Sequence, residues 1–148
     1  MDIIPLGFLD IYPAQGNGWP GTNFASSCGS TNFAAPGYDN VNDPSKNDLK
    51  NDCPTLVDGI AHCQAQGKQI LLSLGGAPGT PSYQLTSTAD ALFMADFLWG
   101  AFGPLQNSNN YPRPFDTPTK SNSVDGFDFD IETIQPGETT ASELISEC

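Results

Sequence analysis

A short, unbroken apolar run places the tightest limit on how this chain can fold. Ile70-Leu71-Leu72-Ser73-Leu74, introduced by Lys68-Gln69 and closed by Gly75-Gly76, shows no polar alternation. Strands of this kind are buried on both faces, as in parallel sheets covered by helices. Directly before it, residues 54–66 read as a helix: Pro54 stands near its start, Gly67 lies past its end, and Leu56, Ile60 and Cys63 share one stripe. A helix running straight into a buried strand is half of a β/α unit.

The rest of the chain repeats that grammar. Residues 2–12 are mostly apolar and predict a buried strand, with Pro5 as a weak point in its middle. Ser87-Thr88-Ala89-Asp90 resembles a capping box, and Ala91 to Phe102 is apolar almost all round until Gly103-Pro104 stops it, so this helix needs cover on most sides. Val124 to Ile131 alternates as a strand, and Thr140-x-x-Glu143 opens a short amphipathic piece that ends at Cys148. The order strand, helix, strand, helix, strand, helix predicts an α/β fold with a parallel sheet, right-handed crossovers and functional loops at the strands' C-terminal ends. Ala14 to Asn51 is rich in Gly, Asn, Ser, Asp and Pro and lacks periodicity; it is too long for a plain connection and is either functional or tied down. No repeat or linker divides the chain.

Composition narrows the function. Five basic residues against 17 acidic ones give a net charge of −12, which repels phosphate backbones and anionic lipid headgroups, so nucleic-acid and membrane partners are disfavoured. Only 15% of residues are charged, against a typical ~25%; the neutral polar surface is of the secreted kind. No apolar stretch reaches membrane-span length, and Met1-Asp2-Ile3-Ile4 lacks the basic region and cleavage site of a signal peptide. The four cysteines, Cys28, Cys53, Cys63 and Cys148, allow three full pairings that spacing does not decide; no C-x-x-C occurs, which disfavours zinc.

The chemistry concentrates in Asp125-Gly126-Phe127-Asp128-Phe129-Asp130-Ile131-Glu132. The two-residue period of a strand sends Asp128, Asp130 and Glu132 to one face and Phe127, Phe129 and Ile131 to the other. Buried like charges this close share protons, which retains a proton for general-acid work. A solvated edge strand or a calcium loop are the competing readings. The apolar opposite face weighs against the first, and the lack of a glycine at the sixth loop position against the second.

These eight residues reproduce the D-G-x-D-x-D-x-E signature of family 18 glycoside hydrolases, and Leu72-Ser73-Leu74-Gly75-Gly76 resembles that family's S-x-G-G motif. The segments from Cys63 to Gly76 and from Ala91 to Trp99 resemble the hevamine-type (class III) chitinases, and Trp19-Pro-Gly-Thr-Asn-Phe24 resembles their fungal members. The resemblance implies a secreted chitinase that hydrolyses internal β-1,4 bonds of chitin with retention and without metal or cofactor. Glu132 would protonate the glycosidic oxygen. Asp130 would orient the substrate's own N-acetyl group, the attacking nucleophile, and Asp128 would hold Asp130's proton from behind. Asp125 would shape the strand entry, outside the chemistry. Gly75, Gly76 and Phe8 are substrate-binding candidates, although a strand-to-loop turn and a core position are their plain alternatives. Trp19, Tyr38 and Tyr83 could stack on sugar rings or anchor their loops. His62, the only histidine, reads as structural.

The resemblance also sets the extent of the domain. Residues 1–148 are expected to form a single partial catalytic domain, a partial (β/α)8 TIM barrel spanning strands two to four, with the first strand and the C-terminal half missing. The tyrosine and tryptophan that hold the acetamido group on later strands are then absent, and full activity is not expected of this segment alone. A non-catalytic chitin-oligosaccharide binder is the alternative, and exposed sheet edges give a route to self-association. The resemblance further implies a Cys28–Cys53 disulfide, with Cys63 left without its usual partner.

Overall fold

A computed structural model of the chain describes residues 2–15, 18–33, 48–77 and 83–132. In chain order the elements are β1 (Ile3–Ile11), β2 (Gly21–Thr22), a single 3-10 turn (Ala25–Ser27), α1 (Pro54–Ala65), β3 (Gln69–Gly76), α2 (Thr88–Phe102) and β4 (Gly126–Ile131). They build a mixed α/β fold whose four-stranded sheet has the order β2-β1-β3-β4. β1, β3 and β4 are parallel, as the sequence predicts, but β2 runs antiparallel to β1. Two residues inside a Gly-rich loop carry no periodicity, so sequence alone did not reveal this strand. The amphipathic piece at Thr140–Glu143, Cys148 and Tyr38 lie outside the described residues.

Pro5 sits within β1 because β2 pairs only with the far end of that strand, at Leu9 and Ile11. At Pro5 the ladder runs to β3 through Leu71, and no described strand lies on the other side to need the missing N–H. Further along, Gly7 pairs with Ser73 and Leu9 with Leu74, so Phe8 is an extra residue, a β-bulge. Its backbone is not left unpaired: Phe8 N–H donates to the Asn23 carbonyl (3.0 Å), and Asn23 N–H donates back to the Phe8 carbonyl (2.9 Å).

Helix α1 begins at Pro54, whose missing N–H is one the first turn would leave unused. It ends where Gly67 takes a left-handed conformation (φ 74°), and Lys68 N–H returns to the Cys63 carbonyl. Helix α2 opens on Ser87, whose hydroxyl accepts from Asp90 N–H, and buries Ala91, Met94, Phe97, Leu98, Gly100, Ala101 and Phe102. These join Ile60 of α1 and the alternate β3 residues Ile70, Leu72 and Leu74 in one core, together with Leu9 and Phe115. Cover of α2 is one-sided, contrary to the expectation from its composition: Leu92 is 49% exposed and Trp99 51% among the described residues.

Two devices hold the irregular segments. Cys28 and Cys53 are joined by a disulfide, beside which Gly29 N–H donates to the Asp52 carbonyl and Asn32 bridges to Lys50. The aperiodic stretch after β1 is therefore tied back to the start of α1; Cys63 has no disulfide partner among the described residues. After α2, the Arg113 guanidinium donates to the Gly100 and Gly103 carbonyls (3.0 and 2.6 Å), left without partners at the helix end, and forks onto both carboxylate oxygens of Asp116 (3.1 Å each). It also donates to the Asn122 carbonyl (2.9 Å), which fixes the approach to β4.

Candidate active site

The register of the two parallel strands decides which side chains meet. Leu72 stands beside Phe127 and Leu74 beside Phe129, continuing the core face, while Ser73 stands beside Asp128 and Gly75 beside Asp130. Phe127, Phe129 and Ile131 pack against the core from the strand's apolar side. Asp128 and Asp130 therefore share the opposite face, and Glu132 follows at the strand's C-terminal end, the end at which parallel α/β sheets place their ligands.

Ser73 is buried, and its hydroxyl donates to Asp128 Oδ2 at 2.8 Å. The hydrogen-bond partner of Asp128 is thus Ser73 and not Asp130. This contact was missed in the sequence, where Ser73 figures only as a motif letter; two period-two runs ending at comparable points were the signal that could have found it. The burial anticipated for the three acids is not what the fold provides: Asp128 and Asp130 are half-buried and Glu132 is exposed. Among the described residues β4 has a strand on one side only.

The glycine pair has an internal reason to be glycine. Gly75 (φ 109°) lies against the carbonyl of Asp130, which any Cβ would strike; a Cβ on Gly76 (φ 98°) would come within 3.1 Å of the Phe8 ring. The bulge at Phe8 and the bare backbone at Gly76 thus fit one another. Tyr83, buried, donates its hydroxyl to the Gly76 carbonyl (3.0 Å) and so anchors the loop beyond β3. Asp125 ties in the start of β4, its carboxylate accepting from Ile70 N–H (2.7 Å) and from Gln64 (3.0 Å). His62 is exposed in the last turn of α1.

At the end of β1, burial lifts the Asp10 carboxyl above the ordinary aspartate range, and the nearby charge of Asp48 lifts it further, against hydrogen bonds from the backbone and from Asn23. Its Oδ1 is buried without a donor among the described residues. No three His, Cys, Asp or Glu side chains among the described residues are grouped to hold a metal ion, and no described helix is long and apolar enough to cross a membrane.

No protein-family profile matches the chain. Fungal endochitinases do: Endochitinase 2 of Coccidioides posadasii is 46% identical over 132 residues, covering 88% of this chain and 14% of its own, and a probable endochitinase of Arthroderma benhamiae is 41% identical over 134 residues. Among solved structures, the chitinase ICChI from Ipomoea carnea superposes over 99% of this chain and 42% of its own, with a TM-score of 0.63 and 28% identity. The chain spans 14–17% of the length of these two endochitinases and about two fifths of that structure. Over 88% of its length, the chain is homologous to a part of the fungal endochitinases, and its mixed α/β fold is similar to that of a solved chitinase.

Proposed function

We propose that residues 1–148 are a single partial catalytic domain of a secreted family 18 glycoside hydrolase, part of a (β/α)8 barrel, that acts on the β-1,4 bonds of N-acetylglucosamine polymers. Asp128 and Asp130 on one face of a parallel strand, with Glu132 next after its C-terminal end, support this reading. The endochitinase relatives support it, and the Cys28–Cys53 disulfide fits an oxidising compartment.

In this reading Glu132 donates its proton to the glycosidic oxygen as the bond to the sugar carbon breaks. The acetamido oxygen of the same sugar attacks that carbon, so no enzyme nucleophile is needed and the configuration is retained after water opens the ring intermediate. This is an exception to the two-carboxylate scheme. Asp130 orients the acetamido group and stabilises the positive charge that develops on it. Asp128, held by the Ser73 hydroxyl, lies behind Asp130 and fixes the strand's acidic face. Gly75, Gly76 and Phe8 shape the floor beside the acids and contact the sugar.

Release of fluorophore from a labelled chitin oligomer tests this directly. Glu132→Gln keeps the shape and cannot donate a proton, so turnover should fall by about 10²–10⁴. Equal rates in wild type and variant would sink the assignment of Glu132. A second reading, binding of chitin oligosaccharides without turnover, is favoured by the exposure of Glu132 and by a structural neighbour that is an inhibitor protein, the xylanase–α-amylase inhibitor XAIP-I, solved with trehalose (TM-score 0.63, 25% identity). Saturable oligomer binding with no turnover in either protein would select it.

A further inference from the structure

A second concavity lies away from the acidic strand, on the outer side of α2. It is a cleft of about 440 Å³, within the range of small-ligand sites, and its lining includes Trp19, Asp96, Trp99, Ser108, Asn110 and Tyr111. Trp99 is half exposed. The other two rings are fixed: Trp19 meets Phe97 edge-on at 5.4 Å, and Tyr111 meets Phe97 at the same distance. Gly100 makes the seat for Tyr111, because a Cβ there would collide with the Tyr111 ring. Tyr111 donates its hydroxyl to Asp96 (2.6 Å); burial first, then that hydrogen bond and the carboxylate's charge, push the phenol up to about 12. The phenol therefore stays neutral and oriented across the ordinary pH range, and its ring remains a fixed wall.

The chemistry of the lining selects a ligand class. Among the described residues no Lys or Arg lines the cleft, and its carboxylate is already engaged, so phosphate and other anions have no partner there. The exposed Trp99 ring and the half-buried Trp19 and Tyr111 rings, beside the exposed Ser108 and Asn110, suit a neutral molecule with an apolar C–H face and hydroxyl edges. A β-linked pyranose is such a molecule: its equatorial substituents leave a flat C–H face for the indole and place hydroxyls at the rim.

We propose that this cleft is a second oligosaccharide-binding site, separate from the acids, in which Trp99 stacks on a pyranose ring and Ser108 and Asn110 bond its hydroxyls. The choice of a chitin oligomer as the ligand rests on the function proposed above; the saccharide class rests on the cleft itself.

Both tryptophans of the chain line this cleft and neither lies on the acidic strand, so indole emission reports directly on the cleft and not on the acids. Titrating the full chain with chitotetraose should give a saturable emission change, and Glu132→Gln should give the same curve. By calorimetry Trp99→Ala should weaken this binding about tenfold and Trp99→Phe less, with melting temperatures near wild type because the side chain is exposed. A flat titration to millimolar oligomer, or undiminished affinity in Trp99→Ala, would overturn the proposal. Loss of the catalytic reading alone would appear as absent turnover with the emission change intact.

Discussion

Strands β3 and β4 lie side by side in register, yet the fold treats them differently. β3 has β1 on one flank and β4 on the other; Ile70 and the residues from Leu72 through Gly76 are buried. β4 has one described neighbour, and all six of its residues are half-buried. The stability-bearing side chains therefore gather on the central strand. The carboxylates gather on the outer one, where charge keeps contact with water and escapes the penalty of full burial. Ser73 links the two: it is a buried hydroxyl of β3 spent on an acid of β4.

This contrast can be broken by mutation. Leu72→Ala removes a fully buried side chain and should cost about 2–5 kcal/mol in denaturant unfolding. Phe129→Leu, on the half-buried strand, should cost less than about 1.5 kcal/mol, and a larger loss would show that β4 is as much a part of the core as β3. Ser73→Ala leaves Asp128 without its donor, though half open to water, so about 1 kcal/mol is expected. If the acids work together, Ser73→Ala should also lower kcat more than it changes KM.

The smallest effect is the most diagnostic of electrostatics. Asp10 has its carboxyl raised above the unfolded value, so the folded state holds the proton more tightly. Its stabilising contribution is present at pH below the ordinary aspartate range and is lost as pH rises through the raised folded value. Asp10→Asn should therefore raise the melting temperature more at pH 7 than at pH 4. An equal change at both pH values would show that burial of Asp10 imposes no charge penalty.

Much of this was legible from residues alone. The helix from Pro54, the cap at Ser87 and the strand ending at Ile131 follow from punctuation and periodicity, which act over a few residues. The alternation also placed Asp128 and Asp130 opposite Phe127 and Phe129. The extent of acid burial was misjudged, because exposure depends on what packs over a face and not on the face's own pattern. Trp99 and Tyr111 were passed over as site residues, since one belongs to an apolar helix and the other to a proline-rich loop, and only the packing of Tyr111 and Trp19 against Phe97 brings Tyr111 into one cleft with Trp99.

Among the described residues, the sequence by itself therefore determined the order of the three parallel strands and two helices, the helix caps and the composition of each strand face, since those depend on neighbours one to four positions apart. The tertiary structure decided the bulge that seats Phe8 on Gly76, the register that gives Ser73 to Asp128, the antiparallel β2 and the Arg113 clasp at the end of α2. Most of those contacts join segments far apart in the chain. Their geometry is set by how loops close and how volumes fill around a shared core, for which no local pattern stands as a proxy.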